Sequence, residues 1–264
     1  MKMKPSLLVL NCLLGLSALL ITLPIVGQTG PKDSVIGAPL ISPSFALQQP
    51  GGDLVNRFGM NGAVGLQLMY KTKHNWIIGV SGDYLFGNQV KETHMLDSIV
   101  THDNSANGFL ISNNGKLVDR FFSERGFSTF IKIGKLFPCF GPNENSGIMV
   151  LGGVGFLEHQ IHIQLVDGTD QITPQLNAQM RLGYDRLSNG LAFNEAIGYL
   201  FLANNRIFNF YAVLDFTEGF TQDRRYDYDL NSQSNKVNKD VLYGFRFGWI
   251  LPIYKRIAKE FYTY

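Results

Sequence analysis

The segment from Val241 to Leu251 alternates between large apolar residues and mostly small ones. Side chains alternate between the two sides of a strand, so one face would be apolar and the other would hold Gly244, Arg246 and Gly248. A soluble sheet turns its large residues toward the core and leaves polar residues outside. The opposite arrangement is typical of a transmembrane β-barrel strand: the large residues face lipid, and the glycines and the charge face a narrow lumen.

Seven further segments complete the predicted barrel, most of them with the same alternation. Short polar turns alternate with long polar segments between them, as in bacterial barrels with short periplasmic turns and long extracellular loops. Pro43 lies in the first segment, although proline is rare inside a strand. Residues 177–185 are a candidate for a further strand, but adding it alone would make the count odd. The eight predicted strands lie near residues 41–48, 61–70, 76–87, 127–137, 146–163, 190–202, 205–217 and 241–252. The predicted fold is therefore all-β, an eight-stranded antiparallel transmembrane β-barrel with long extracellular loops.

Residues 1–27 have the features of a secretory signal peptide. Lys2 and Lys4 precede an apolar stretch from Ser6 to Val26, and Gly27 is small enough to precede a cleavage site. The stretch is long for a signal peptide, and an uncleaved anchor is the alternative because about 20 apolar residues can span a bilayer. We therefore predict a cleaved signal peptide over residues 1–27 and a barrel over residues 28–264, in the outer membrane of a Gram-negative bacterium.

The composition agrees with a membrane barrel better than with a soluble enzyme. Aromatic residues make up 12% of the chain and charged residues only 17%, and 28 residues are glycine. The formal net charge of +2 gives no general case for nucleic-acid binding. Only Cys139 follows the predicted cleavage site, which excludes an internal disulfide or a cysteine metal cluster in the mature chain. We predict no cofactor and no metal site.

The small faces of the predicted strands define a candidate lumen. An eight-stranded barrel encloses a space just wide enough for side chains. Opposite charges that share this space should pair, because an unpaired buried charge is costly. A paired ionic core would plug the barrel, and the alternative is that these residues lie at the rims and face water. The predicted lumen network consists of Gln67, Asp83, Lys132, Tyr211, Asp215 and Arg246, with Glu195 as a further candidate.

The large faces carry a set of aromatic residues that we predict to face lipid. The predicted lipid-facing aromatic residues are Trp76, Tyr84, Phe86, Phe208, Phe210, Phe216, Tyr243, Phe245, Phe247 and Trp249. A soluble lipocalin-like barrel is the competing fold. It would also have eight strands and a signal peptide, but it would turn Phe245, Phe247 and Trp249 inward.

Several short stretches resemble a family of small outer-membrane barrels from Bacteroidota. The stretches are Gly51–Gly59 (GGDLVNRFG), Tyr70–Trp76 (YKTKHNW), Gly183–Gly190 (GYDRLSNG), Phe208–Tyr211 (FNFY) and Glu218–Thr221 (EGFT). The likeness covers most of the mature chain and concerns the type of barrel and short stretches of sequence. It implies a porin-like barrel of the OmpA type without an assigned activity. Barrels of that phylum often serve as subunits of protein-secretion or barrel-assembly complexes, so the resemblance implies a similar role.

The segment from Glu218 to Asp240 is a candidate for contact with partner proteins. It holds Arg224, Arg225, Tyr226 and Tyr228, and arginine and tyrosine are enriched at protein interfaces. The alternative is a solvated loop of mixed charge.

A catalytic site is the remaining candidate among the loops. The loop Asn88–Gly126 contains His94 and His102 near acidic residues and serines, and a catalytic triad is recognised by its geometry rather than by its sequence. The acidic residues are Asp97 and Asp103, and the serines are Ser98 and Ser105. No nucleophile motif accompanies them. His159 and His162 would point to opposite faces of a strand and could not share a metal. We therefore predict that the protein is not an enzyme.

The leading hypothesis is a structural or accessory subunit of an outer-membrane protein complex, for secretion or barrel assembly. It would contact outer-membrane lipids and other outer-membrane or periplasmic proteins, and no nucleic acid. A narrow passive pore for small solutes and a lipid-modifying enzyme are the alternatives.

Overall fold

The framework of the protein is a set of eight long strands. A computed structural model describes residues 35–100, 109–166, 174–203, 208–228, 231–233 and 236–253 of the chain. The strands are β1 (Ala38–Gly52), β2 (Asn61–Lys71), β3 (Trp76–Gly87), β4 (Leu117–Pro138), β5 (Gly147–Val166), β6 (Ser188–Leu202), β7 (Asn209–Asp223) and β8 (Val237–Trp249). The predicted signal peptide, residues 1–27, lies outside the described residues.

The eight strands form one closed antiparallel barrel. Each strand pairs with the next along the chain, and β8 pairs with β1 to close the ring. Closure leaves no strand edge around the ring, so the backbone groups along the strands are bonded within the barrel. The predicted eight-stranded antiparallel barrel is confirmed.

The stagger of the strands sets the width of the barrel. From Ser42 the paired positions pass once around the ring and return to β1 at Gly52, ten residues further along. Eight strands with this stagger tilt by about 40° and enclose an interior that side chains can fill. The lumen is therefore narrow because of the pairing register itself.

The connections differ in length at the two ends of the barrel. The connections β1–β2, β3–β4, β5–β6 and β7–β8 lie at one end, which we call the long-loop end; their described residues are 53–60, 88–100, 109–116, 174–187, 224–228, 231–233 and 236. The connections β2–β3, β4–β5 and β6–β7 lie at the other, which we call the short-turn end; their described residues are 72–75, 139–146, 203 and 208. The strands extend further toward the long-loop end than predicted: β4 begins at Leu117, and Asp119 pairs with Val166 of β5. The sequence predicts a loop for residues 117–126 because they are largely polar. In the structure these residues are strand, because backbone pairing continues beyond the apolar part of β4.

Short elements occupy the connections. Residues 177–185, the candidate for a further strand, instead contain the one-turn helix Ala178–Arg181. The Asn177 side chain accepts a hydrogen bond from the N–H of Met180 at 2.9 Å, an N-terminal cap that favours a helical turn over a strand. Among the described residues, no helix has both the length and the apolar character needed to cross a bilayer. The other short elements are 3-10 turns at Leu54–Asn56 and Pro174–Leu176, and strands at Leu110–Ile111, Tyr226–Asp227, Ser232–Gln233 and Leu251–Pro252.

The seam between β1 and β8 contains one interruption. Pairing ends at Ser44 opposite Gly248 and resumes at Ile41 opposite Leu251, and Pro43 lies in the gap. Proline has no N–H to donate to a neighbouring strand. The Ser42 hydroxyl donates to the carbonyl of Trp249 at 2.7 Å and supplies a donor within the gap. This side-chain bond explains how a strand with an internal proline closes the barrel.

Inward-facing glycines make room for the large side chains of the lumen. A Cβ at Gly248 would collide with the ring of Tyr211, and a Cβ at Gly65 would collide with the carboxylate of Asp83. Both bulky residues are buried, and each glycine lies on the strand next to the side chain that it accommodates. A bulky residue therefore faces a glycine across the strand pair.

Gly248→Val should lower the free energy of unfolding by about 2 kcal/mol or more, because Tyr211 has no space to move in a packed lumen. Gly82→Val is the matched control, since a Cβ at Gly82 would meet no atom within 4 Å. Urea unfolding of the barrel in lipid vesicles measures both. Equal midpoints for the two variants would contradict a tightly packed lumen.

Candidate functional site

The centre of the lumen is occupied by one arginine between two aspartates. Arg246 Nη1 lies 2.5 Å from Asp83 Oδ1, and Arg246 Nη2 lies 2.8 Å from Asp215 Oδ2. Arg246 Nε also donates to Asp215 Oδ2 at 2.9 Å, and Nη1 donates to the Ser44 hydroxyl at 3.2 Å. All three charged residues are buried. The guanidinium group therefore joins β1, β3, β7 and β8 across the lumen.

Asn194 extends this network and was absent from the predicted set. Its side-chain amide donates to Asp215 Oδ1 at 2.8 Å and to the Thr217 hydroxyl at 2.9 Å. Glu195, the further candidate for the lumen, is instead exposed on the outer face of β6, so that prediction is wrong. Alternation requires adjacent residues to face opposite ways, and the buried Ala192 and Ala196 flank Asn194 on the inward face. The two small alanines were the sequence signal for the correct face.

The other predicted lumen residues also point inward. Lys132, Gln67 and Tyr211 are all buried. Lys132 Nζ lies 5.5 Å from the centre of the Phe130 ring, and no ion pair of Lys132 is present within the part of the chain that the structure describes. The Gln67 side-chain oxygen and the Tyr211 hydroxyl have no hydrogen-bond partner among the described residues. The structure thus places all six predicted residues in the lumen, and three of them form the ion pairs.

Apolar layers lie on both sides of the charged centre. The layer toward the short-turn end includes Leu40, Met69, Ile77, Leu136, Met149 and Leu200. The layer toward the long-loop end includes Leu54, Phe58, Leu85, Met95, Leu96 and Leu157. Several members of the second layer come from the loops, so those loops fold back over the barrel mouth. The lumen is filled by charged groups between two apolar plugs.

A second buried polar cluster lies nearer the long-loop end. His159 Nε2 lies 2.8 Å from Asp240 Oδ2, and the Thr221 hydroxyl donates to the same oxygen. Asn61 donates to the buried Glu124 at 2.9 Å. The sequence reasoning missed this cluster because several of its members lie in segments assigned to loops. No group of three or more possible metal ligands occurs among the described residues.

Arg57 connects the loops at the long-loop end, with a contribution from Arg186. Arg57 donates to the Ser188 hydroxyl at 2.7 Å and to Asp223 at 3.1 Å, and it lies 3.4 Å from Glu92. Arg186 also contacts Glu92 at 3.3 Å. These contacts join the first three long connections to the end of β7. We call the described residues of the long connections (53–60, 88–100, 109–116, 174–187 and 224–228) the cap, and these contacts hold its parts together.

The predicted contact residues lie on the outer side of this cap. Arg225 forms an ion pair with Asp185. Burial raises the pKa of Asp185 above its usual value, although the nearby guanidinium group acts in the opposite direction. Tyr226 and Tyr228 are 45% and 46% exposed, and the Tyr228 ring lies 5.4 Å from that of Tyr184. Arg224 donates to the Asn189 side chain at 2.6 Å. Two exposed tyrosines thus stand beside two anchored arginines.

Among the described residues, the catalytic candidate His94 is not part of a triad. His94 lies 2.9 Å from Asp97, and both side chains are exposed. Among the described residues, no serine hydroxyl bonds to His94. His102, Asp103 and Ser105 lie outside the described residues.

The outer face of the barrel is apolar over most of its height. Eight of the ten predicted aromatic residues are exposed on it and Phe210 is half-buried, whereas Phe208 is exposed in the connection just before β7. An aromatic band near the short-turn end contains Tyr70, Trp76, Phe137, Phe201, Phe210 and Trp249, and another nearer the long-loop end contains Tyr84, Phe86, Phe127, Phe156, Phe220 and Tyr243. Aliphatic residues lie between them, including Leu68, Ile78, Val80, Ile133, Val150 and Leu214. This is the arrangement of a barrel that crosses a bilayer, with aromatic residues at both interfaces.

Arg246→Leu should lower the free energy of unfolding by about 3–5 kcal/mol, because Asp83 and Asp215 would remain buried without the guanidinium group that pairs with both of them. Phe247→Leu, on the outer face of the same strand, is the control and should change it little. Urea unfolding in vesicles measures both. The combined variant Asp83→Asn/Asp215→Asn/Arg246→Met should recover much of the loss, because it removes all three charges together. A single Arg246→Leu as stable as the unmodified protein would contradict the pairing.

The fold and the site define a closed, side-chain-filled eight-stranded β-barrel with an apolar outer band. No model of a known protein family matches the chain, and no curated protein matches it. Sixteen chains of solved structures do match.

Three of the matching structures come from different bacteria. Ail, the attachment invasion locus protein of Yersinia pestis, is similar over 81% of this chain and 99% of its own, with 14% identity and a TM-score of 0.35. Neisserial surface protein A covers 81% of this chain and 96% of its own, with 7% identity and a TM-score of 0.39. The N-terminal β-barrel domain of Pseudomonas aeruginosa OprF covers 80% and 97%, with 10% identity and a TM-score of 0.33.

Proposed function

We propose that this protein is a non-conducting outer-membrane barrel that anchors an ordered loop cap at the cell surface, as a structural or accessory subunit of an outer-membrane complex. The observation that carries the proposal is the filled lumen. Arg246 and its two aspartates occupy the centre, and apolar layers lie on either side. A barrel with this interior holds its loops and offers no path to solutes.

The membrane placement rests on the outer surface. Contiguous exposed apolar patches larger than a few hundred Å² are rare on soluble monomers. Here exposed apolar residues surround the whole ring, with aromatic bands toward both ends. Closed barrels are also the form in which β-strands cross membranes, because every backbone group is bonded internally. The long-loop end then faces the outside, as in bacterial outer-membrane barrels.

The contact role rests on the cap. Arg57 and Arg186 tie the loops through Glu92, so the surface above the barrel is held in one shape. Ordered aromatic and arginine side chains lose little conformational entropy when they bind, which favours them at protein interfaces. Tyr226, Tyr228 and Arg225 form such a group at the outer side of the cap. A narrow passive pore is the second candidate, and the plugged lumen argues against it.

Fractionation and conductance test the barrel part of the proposal. The protein should require detergent for extraction, shift in mobility when heated, and produce no single-channel steps in planar bilayers. A freely soluble monomer would overturn the membrane placement and favour a lipocalin-like barrel. Regular conductance steps from the unmodified protein would instead establish the pore.

Substitution at the cap tests the contact role. Tyr226→Ser/Tyr228→Ser should reduce recovery of partner proteins with the barrel in mild detergent by about tenfold, because two exposed aromatic anchors are removed. Phe140→Ser is the matched control, since Phe140 is 97% exposed at the short-turn end. Quantitative mass spectrometry of the purified complexes provides the measurement. Loss in the Phe140 variant alone would place the contact at the opposite end, and a barrel that migrates alone would refute it.

A further inference from the structure

One carboxylate interrupts the apolar outer band at half its height. Glu195 is exposed on the outer face of β6. The band on this strand runs from Leu191 to Phe201, and ten residues at ~3.3 Å each with a ~40° tilt span about 25 Å, the height of a lipid-facing band. Glu195 lies four residues from one end and six from the other. It therefore lies near the mid-plane of the bilayer if the barrel spans one.

The surroundings of Glu195 give it no counter-charge. Its paired neighbours are Gly152 on β5 and Phe216 on β7, and among the described residues it makes no ion pair and no hydrogen bond. Of the outward basic residues on the described strands, Lys135 lies near the short-turn end, against the Trp76 and Phe137 rings, and Arg125 and Lys239 lie toward the long-loop end. A charged group at this depth is costly in lipid, and ionisable residues inside membranes normally pair with a partner.

The neighbouring glycine leaves space beside the carboxylate. A Cβ at Gly152 would meet no atom within 4 Å, so open space lies above the backbone of this residue, and we call this space the Gly152 recess. Around the recess the surface is formed by Val150, Val154 and Ile197, which are exposed and apolar. A side chain from another molecule can enter the recess and reach Glu195 while its surroundings stay dry.

We propose that Glu195 and the Gly152 recess form a lateral contact with a different membrane-embedded protein, which presents a basic or amide side chain at the same depth. This inference rests on the membrane placement proposed above and specifies where in the membrane a partner binds. Charge complementarity identifies the occupant. A twofold contact centred on this site would bring two Glu195 carboxylates together. Elsewhere on the described outer band, the donor nearest this depth is the hydroxyl of Thr129, without positive charge. A second copy of this chain therefore lacks the complementary group.

Two measurements on the full protein test the contact. In phosphatidylcholine vesicles without any partner, Glu195→Leu should raise the urea midpoint or leave it unchanged, because the variant removes a carboxylate from hydrocarbon. Ile197→Leu is the control on the same face. A lowered midpoint for Glu195→Leu would overturn the proposal, because it would mean that the carboxylate serves the barrel itself.

Cross-linking in the native outer membrane then identifies the occupant. A photo-reactive side chain at Ile197 should cross-link to one other protein, at a membrane-spanning residue next to a basic or amide side chain. The same probe at Phe45, on another part of the ring, should not. Glu195→Leu should reduce the Ile197 cross-link at least tenfold. Cross-links only to lipid, to a second copy of this chain, or to a protein whose yield is unchanged by Glu195→Leu would each overturn the proposal. These outcomes would leave the membrane placement intact. A protein that is soluble in fractionation would instead overturn both the membrane placement and the lateral contact at Glu195.

Discussion

Closure of β8 onto β1 is the constraint on which the rest of the structure depends. In hydrocarbon no water is available to satisfy a free strand edge, so each backbone N–H and carbonyl must bond within the protein. Closure with a ten-residue stagger fixes the width of the ring and therefore the volume that the inward side chains must fill. The glycines opposite Tyr211 and Asp83 follow from that fixed volume. So does the choice of charged groups, because a long arginine side chain can reach carboxylates on two other strands across so narrow a space.

The charged centre and the apolar layers have different roles in this arrangement. A buried ion pair contributes less to stability than its short distances suggest, because both partners lose their hydration. We infer that the pairing contributes to register specificity, because Arg246 finds both Asp83 and Asp215 in the register observed. The apolar layers on either side supply the favourable burial. The cap continues this division, with Phe58 in the apolar layer and Arg57 tying the loops above it.

Local alternation was sufficient to predict the ring and most of its centre. Arg246, Asp83 and Asp215 each lie on the face opposite a run of large apolar residues, and period two assigns such faces strand by strand. Alternation was not decisive at Asn194 and Glu195, because each of the two opposite faces holds one polar residue. The neighbours decide which face is inward: Ala192 and Ala196 share the face of Asn194, and large apolar residues share the face of Glu195. Alternation failed for His159 and Asp240 as partners, because they are 81 residues apart and meet only through the stagger of the ring. The contacts of Arg57 with Asp223 and Glu92 depend on how loops fold over the mouth, and no periodicity encodes that.

The gap at Pro43 has a consequence for the order of assembly. The seam joins the first strand to the last, so it is the contact with the greatest separation along the chain, and such contacts form late because loop closure must come first. Within that seam, Pro43 has no N–H to donate, the backbone pairing is interrupted there, and the Ser42 hydroxyl bridges the gap to the Trp249 carbonyl. The β1–β8 seam, which is the last pairing to form, is thus also the pairing with a gap in its backbone hydrogen bonds. A nascent barrel can stay unzipped along this line until its final strand arrives, while the other seven pairings are already in register.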